Sequence, residues 1–379
     1  MKKILKKILP KRLKLFLIEH RYIFKIMKMN YRNYLKKLFV QYNNKSLSID
    51  NEKKWINKLV KLAYSNIDYT ELGEAFIKSE INIIKNLEIL PNDIVLICVE
   101  KDDLIKLKNF IKYHRNIGIN NFIILDNNST DGSFEWLLKQ KDVILLQTKN
   151  KYSSINRVAW INRIIAHYGD NKWYIVLDSD ELLVYNDCEN KKIQDVINYC
   201  KKNNIVRARS LMIDMYAKKD YYNNGNFENY YNECIYFDTN TYYKKQREDF
   251  INISGGMRER IFDMVPCLTK YPLFYFRKND IHCSSHFLYP YKENFSSCIL
   301  VILHYKFLPG EIEKYRKIVK EENYYKGSWA YKKYLNIMEK ESLNFIYKNS
   351  NKYKNSNSLN IINQYNKINW DVNLNDKEN

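Results

Sequence analysis

Apolar residues in this chain come in two rhythms. Asp93-Ile-Val-Leu-Ile-Cys-Val-Glu100, Asn121 to Asp126, Val143 to Gln147 and Trp173 to Leu177 are short, nearly continuous apolar runs, as expected of strands buried on both faces. The stretches between them repeat at helical spacing. Leu104, Leu107, Ile111 and His114 share one face of a helix expected over residues 102–117. Phe134–Lys139 and Tyr152–Tyr168 are read as two more helices. Strand and helix alternating at this interval predict an α/β fold, Rossmann-like, with a mostly parallel sheet covered by helices on both faces. Further along, Lys191–Cys200 and Glu311–Lys340 are expected to be helical, and Ile205–Ile213 a strand.

The same reading divides the chain into blocks. Residues 1–90 are expected to be a basic helical region, with Trp55, Leu59, Leu62 and Ile67 as a partial apolar stripe. Pro91-Asn-Asp93 marks the start of the α/β domain, residues 91–310. A helical extension over 311–345 and an Asn/Lys/Ser-rich tail over 346–379, expected to be disordered, complete it. Residues 214–254 show little periodicity and are expected to be a long loop region.

Acids collect where the strands end. Glu100, Asp126, Asn127, Asp131, Asp178 and Asp180 all follow apolar runs, and ligands of open α/β sheets gather at the carboxyl ends of strands. Asp178 and Asp180 are one residue apart, so period-two geometry puts both side chains on one side. Paired hard oxygen ligands suit Mn²⁺ or Mg²⁺, which in turn suits a diphosphate. Each acid also has a plainer reading. Asp-x-Asp is a common polar turn after a strand, Asp126 suits an Asx turn, and Asp131 suits a helix cap.

Leu125-Asp-Asn-Asn-Ser-Thr-Asp-Gly132 resembles the Asp-Asp-Gly-Ser-Thr-Asp-Gly turn of family 2 glycosyltransferases, which have the GT-A fold. The match is to the subgroup with Asp-Asn-x-Ser-Thr-Asp-Gly and Asp-x-Asp-Glu motifs. Tyr113-His-Arg-Asn-Ile-Gly118, Leu177-Asp-Ser-Asp-Glu-Leu-Leu183, Gly255-Gly-Met-Arg-Glu-Arg-Ile-Phe262, Leu268-Thr-Lys-Tyr-Pro-Leu273, His286 and Leu303-His-Tyr-Lys-Phe307 follow in that subgroup's order. One departure is Val99, where the subgroup usually has Asn. The resemblance implies a metal-dependent, inverting transfer of sugar from a nucleotide-diphosphate sugar to a glycan or lipid-linked acceptor, in bacterial surface polysaccharide synthesis. It implies that Glu100, Asp126, Asn127 and Asp131 meet the nucleoside. Asp178 is expected at the ribose or the metal, and Asp180 and His304 at the metal. Arg258, Arg260 and Lys306 are expected to pair with phosphate oxygens. An inverting mechanism needs a carboxylate base. Glu259, Asp263 and Asp214 are the candidates, with Glu259 favoured because Gly255-Gly256 can present it from a loop at a helix start. Residues 214–254 would then lie on the acceptor side.

Charge adds a partner. The chain carries a formal +20; residues 1–50 hold 14 Lys or Arg and 2 acids, so +12 of it sits there. In residues 1–18, Ile and Leu interleave with Lys at helical spacing. That pattern favours an anionic membrane surface over nucleic acid, because phosphate contact needs no apolar face. No stretch offers the ~20 mostly apolar residues of a spanning helix, and no small-residue cleavage site follows the basic start. The expected location is cytoplasmic, peripheral on the inner face of the membrane. The seven cysteines are scattered without a Cys-x-x-Cys pair, which argues against a disulfide framework or a zinc site. Two other classes compete. A sugar-nucleotide pyrophosphorylase would open with a Gly-rich loop, but Glu100-Lys-Asp-Asp-Leu104 has no glycine. A non-enzymatic membrane or nucleic-acid adaptor would need none of the acids.

Overall fold

A computed structural model of the chain describes residues 28–42, 47–49, 51–65, 69–224, 226–322, 324–339 and 344–370. The basic segment 1–18 lies outside the described residues, as does 371–379.

Nine strands form the central sheet. They are β1 (Asn82–Lys85), β2 (Val95–Glu100), β3 (Asn121–Asp126), β4 (Val143–Gln147), β5 (Lys172–Val176), β6 (Glu181–Val184), β7 (Arg207–Asp214), β8 (Thr269–Phe276) and β9 (Cys298–His304). Their order across the sheet is β1-β4-β3-β2-β5-β8-β7-β9-β6. Strands β2, β3, β4, β5, β7 and β9 share one direction, while β1, β6 and β8 oppose it. The expected α/β architecture with a mostly parallel sheet is what the structure has.

The helices are α1 (28–42), α2 (Glu52–Ser65), α3 (Thr70–Lys78), α4 (Leu104–Asn116), α5 (Ser133–Leu138), α6 (Ser154–Tyr168), α7 (Ile193–Lys202), α8 (Gly256–Phe262), α9 (Glu311–Glu321) and α10 (Tyr325–Met338). Strand alternation explains how both faces are covered. Leu96, Cys98, Phe122, Ile124 and Leu145 face Leu107, Phe110 and Ile111 of α4 and Val196 and Ile197 of α7. Val95, Ile97, Val99, Ile123 and Leu125 face Trp55 and Leu59 of α2, Phe76 of α3, and Ile161 and Ile164 of α6. Continuous apolar runs were therefore needed, because every second residue meets a different helical layer.

Four expectations are corrected. The described residues of the region expected to be helical over 1–90 also include a strand and pack on the sheet. Strand β1 joins the sheet beside β4, and α2 and α3 share a core with it. The helical stretch expected over Glu311–Lys340 is interrupted: Glu322 ends α9 with a positive φ, and Lys326, Gly327 and Ser328 at the start of α10 also adopt positive φ, so the right-handed part of α10 begins only after them. The expected loop 214–254 holds short helices over Lys219–Asn224 and Tyr230–Glu233 and strands over Tyr236–Asp238, Tyr243–Gln246 and Ile251–Ser254. Residues 346–370 are folded rather than a disordered tail. Ser350–Lys352 pairs antiparallel with Tyr236–Asp238. Leu359, Ile362, Tyr365 and Ile368 are buried in the core that contains α4 and α7. Polar composition hid four well-spaced apolar anchors.

Candidate functional site

The carboxyl edge of the sheet carries the chemistry. Asp178 and Asp180 occupy the turn between β5 and β6, and Ser179 Oγ in that turn donates to Asp103 Oδ2 at 3.0 Å. Because β6 opposes β9, Glu181 at its start lies beside His304 at the end of β9, and His304 also lies beside Asp214 at the end of β7. His304 Nε2 is 3.5 Å from Asp180 Oδ2, and Nδ1 is 2.7 Å from Asp214 Oδ1. One ligand atom each from Asp180, Glu181 and His304 fits within 4.8 Å. Two carboxylates and an imidazole are a donor set that suits Mn²⁺ and accepts Mg²⁺.

The electrostatics follow from burial and pairing. Burial alone would lower the His304 pKa, but Asp180 and Asp214 outweigh it and raise the value. Burial would raise Asp180; His304, then Lys106 and Lys306, hold its carboxyl well below the usual range. Asp214 is likewise lowered against burial, by Arg258 and His304. Arg258 Nε donates to Asp214 Oδ2 at 2.8 Å. The imidazole is thus fixed from behind by a carboxylate that is itself fixed by a guanidinium.

A second group sits beside the first. Both oxygens of Asp178 are engaged. Arg157 donates to Oδ1 from Nε at 3.0 Å and Nη2 at 2.5 Å, and Lys270 Nζ donates to Oδ2 at 3.0 Å. Lys270 also contacts Glu181 Oε1. Lys106, 2% exposed, pairs with Glu311 of α9 at 2.7 Å and lies 3.5 Å from Asp103. Lys306 Nζ donates to Tyr331 OH at 2.9 Å. Tyr331 meets Tyr324 at a tilt of 57°, and Tyr324 meets Tyr152 at 4.9 Å between centroids, so an aromatic wall borders Lys306.

The other expected residues are placed unevenly. Glu100 and Asp126 are register partners at adjacent strand ends. Asp126 accepts from the backbone N–H of Asn128 and Ser129 and from Gln147 Nε2, each at 3.1 Å. Asn127 Nδ2 donates to the carbonyls of Thr148 and Asn150. Asp131 accepts from the N–H of Leu104 at 2.8 Å and of Ser133 at 3.0 Å, so one carboxylate caps both α4 and α5. For these three the turn-forming roles are the contacts observed. Glu100 differs: its Oε2 is buried without a partner, and burial, then Asp126, raises its pKa well above the usual glutamate range.

Of the base candidates, Asp214 lies behind His304 of the metal-suited group, and its pairing with Arg258 and His304 makes it a poor proton acceptor. Glu259 meets Tyr243 OH at 3.0 Å. Gly255 before it has φ 106°, and a Cβ there would lie 1.9 Å from the Thr241 carbonyl oxygen, so only glycine can start α8 here. Asp263 is exposed at the carboxyl end of α8. Arg260 does not face the acids around His304; it pairs with buried Asp238 at 2.9 Å and donates to the Phe345 carbonyl. Arg258 is spent on Asp214 in the same way. The sequence pattern does not mark Arg157, Lys270 or Lys106. Lys270 lies within Leu268-Thr-Lys-Tyr-Pro-Leu273, but among 63 basic residues nothing in the sequence distinguishes a buried cation from a surface one.

No family model and no curated protein sequence matches the chain. Solved structures give loose likenesses. HddC from Yersinia pseudotuberculosis is 9% identical, over 48% of this chain and 76% of that one, with a TM-score of 0.27. The mannosyltransferase PcManGT from Pyrobaculum calidifontis, in complex with GDP-Man and Mn²⁺, is 13% identical over 45% and 49%, TM-score 0.24. The bifunctional glycosyltransferase WbbM in its apo form is 10% identical over 57% and 40%, TM-score 0.24. The likeness therefore spans about half or less of the length of the two transferases, and scores this low leave the function to the chemistry of the site.

Proposed function

We propose that this chain is a metal-dependent glycosyltransferase, moving a sugar from a nucleotide-diphosphate donor to a glycan or lipid-linked acceptor with inversion. The observation that carries the reading is the meeting of Asp180 and His304, with Glu181 beside them, at the carboxyl edge of the sheet. Asp180 and His304 would hold Mn²⁺ or Mg²⁺, and such an ion supplies Lewis-acid charge for a departing diphosphate. The protein's own residues do the rest. Asp214 accepts from His304 Nδ1 and so turns Nε2 toward Asp180 Oδ2, where both would face the ion. Lys106 and Lys306 add positive potential beside Asp180. Glu100 has a buried oxygen without a partner at this edge, suited to accept from a nucleobase or ribose. Glu259 is the base in this reading, and near-normal turnover in Glu259→Gln would remove it from that role. An adaptor would have no use for a buried acidic group of this kind.

The acceptor and location belong to the same proposal. No helix among the described residues is long and apolar enough to cross a membrane. Residues 1–50, with their excess of Lys and Arg, would hold the protein at an anionic inner leaflet while it glycosylates a lipid-linked or surface-polysaccharide acceptor.

A thermal-shift panel tests the class. A bound ligand stabilises by RT ln(1 + [L]/Kd). Nucleoside diphosphates are expected to raise Tm with Mn²⁺ present and not in chelator, and Asp180→Asn to abolish the shift. No shift with any nucleoside diphosphate in Mn²⁺ would end the proposal.

A further inference from the structure

Strand β8 runs against β5 and β7, so its first residues share an edge with the last residues of its neighbours. That geometry delivers Lys270, 5% exposed, into the acids. Its ammonium lies between Asp178 Oδ2, at 3.0 Å, and Glu181 Oε1. The other oxygen of Glu181 accepts from the Asp178 N–H at 3.1 Å. The other oxygen of Asp178 is held by Arg157, 4% exposed, which also reaches Ser285 Oγ at 3.4 Å. Two buried cations thus balance two carboxylates, and every oxygen of the pair has a partner. A divalent ion bridging Asp178 and Glu181 would have to stand where the ammonium stands. Asp180 and His304 lie outside this neutral quartet.

We infer that Lys270 is a built-in counter-cation. It withdraws Asp178 and Glu181 from metal ligation and confines the site to one divalent ion at Asp180 and His304. The inference rests on the metal-dependent reading above and sharpens it. The first acid of Asp-x-Asp becomes a fixed acceptor for donor hydroxyls, and Glu181 supports the turn without binding metal. Lys270 is a positioning residue, and its effect is read in metal binding rather than in turnover alone.

Mn²⁺ titration of the full chain, followed by calorimetry and by the EPR signal of free Mn²⁺, tests this. Wild type is expected to take up one ion. Lys270→Met releases two carboxylates beside the ion and is expected to bind Mn²⁺ at least about tenfold tighter, or to take up a second ion, since removing a unit cation at this range changes the potential strongly. Lys270→Arg keeps the charge and is expected to match wild type. Lys270→Met combined with Glu181→Gln removes the ammonium with one of its own anions, so it preserves charge balance where the single variant does not fold. This pair is expected to bind one Mn²⁺ within about threefold of wild type. Unchanged or weaker binding in Lys270→Met overturns the inference, as does loss of binding in the double variant, which would make Glu181 a ligand. Failure of wild type to bind Mn²⁺ at all would instead sink the metal-dependent reading itself.

Discussion

At the scale of single residues, the site works through pairings that fix charge. Asp214 is the clearest case. It lies 2.7 Å from His304 Nδ1 and is clamped by Arg258. Asp214→Asn keeps the shape and removes the charge that orients the imidazole. Metal affinity is expected to fall by about 10–100-fold, the range typical for such supporting partners; calorimetry showing wild-type affinity would refute the role. Glu100 offers a pH prediction. Its folded-state pKa is raised, by burial first and Asp126 second. The stability this contributes is therefore complete below the unfolded value, about 4.3, and is lost as pH rises through the raised folded value. Glu100→Gln carries no titrating proton, so its Tm should stay level over the interval where that of wild type declines. Parallel Tm–pH curves for the two proteins would contradict the assignment.

At the scale of elements, the turns after the strands build the site as much as the strands do. Asp131 lies in the turn after β3 yet caps α4, which follows β2, as well as α5. One side chain thereby sets the start of two helices on neighbouring strand-to-helix connections. Asp131→Ala is expected to cost about 1–2 kcal/mol, since it strips the capping acceptor from both. A fall in Tm with unchanged affinity for nucleoside diphosphate would mark the residue as structural. A tenfold loss of affinity with unchanged Tm would restore the expected nucleotide contact. Helix α9 fastens to the same region from the other side, through Lys106 and Glu311 and through Lys314, which reaches Asp103 Oδ1 at 2.6 Å. The end of α4 is just as closely tied: His114 is fully buried, donates from Nδ1 to the Phe110 carbonyl at 2.8 Å, and has its pKa pushed down to about 3 by burial. Its place on the apolar face in the sequence was a packing position.

At the scale of the whole molecule, charge is divided unevenly. Helix α1 shows what the amino-terminal block presents to solvent: Met29 and Val40 are 57% and 81% exposed, and Lys36 and Lys37 on the same helix are exposed as well. Apolar and cationic groups side by side suit the boundary of an anionic bilayer. The full chain is expected to co-sediment with vesicles containing phosphatidylserine, less so as salt is raised, and not with neutral phosphatidylcholine vesicles. Equal binding to both, or none, would exclude a membrane role for this block. A cavity of about 330 Å³ lies at the opposite edge of the sheet, lined by Pro91, Asn171, Trp173 and Tyr275 among others. It holds none of the acids near His304.

The order of β2 to β5 was readable because these strands are buried on both faces and leave nearly unbroken apolar runs, and the helices between them because each buries one face at helical spacing. The strand-end acids were readable for a related reason: Glu100, Asp126 and Asp178 are where those signatures stop. What α4 and α7 bury against, and that residues 346–370 close the same core, depended on a few anchors such as Leu359 in polar surroundings, which composition averages away. The partners of the acids were decided only in three dimensions. Lys270 comes from a strand that opposes its neighbours, and Arg157 from the first turn of α6. A cation is placed by the direction and register of the strand or helix that carries it, and neither is written in its own sequence neighbourhood.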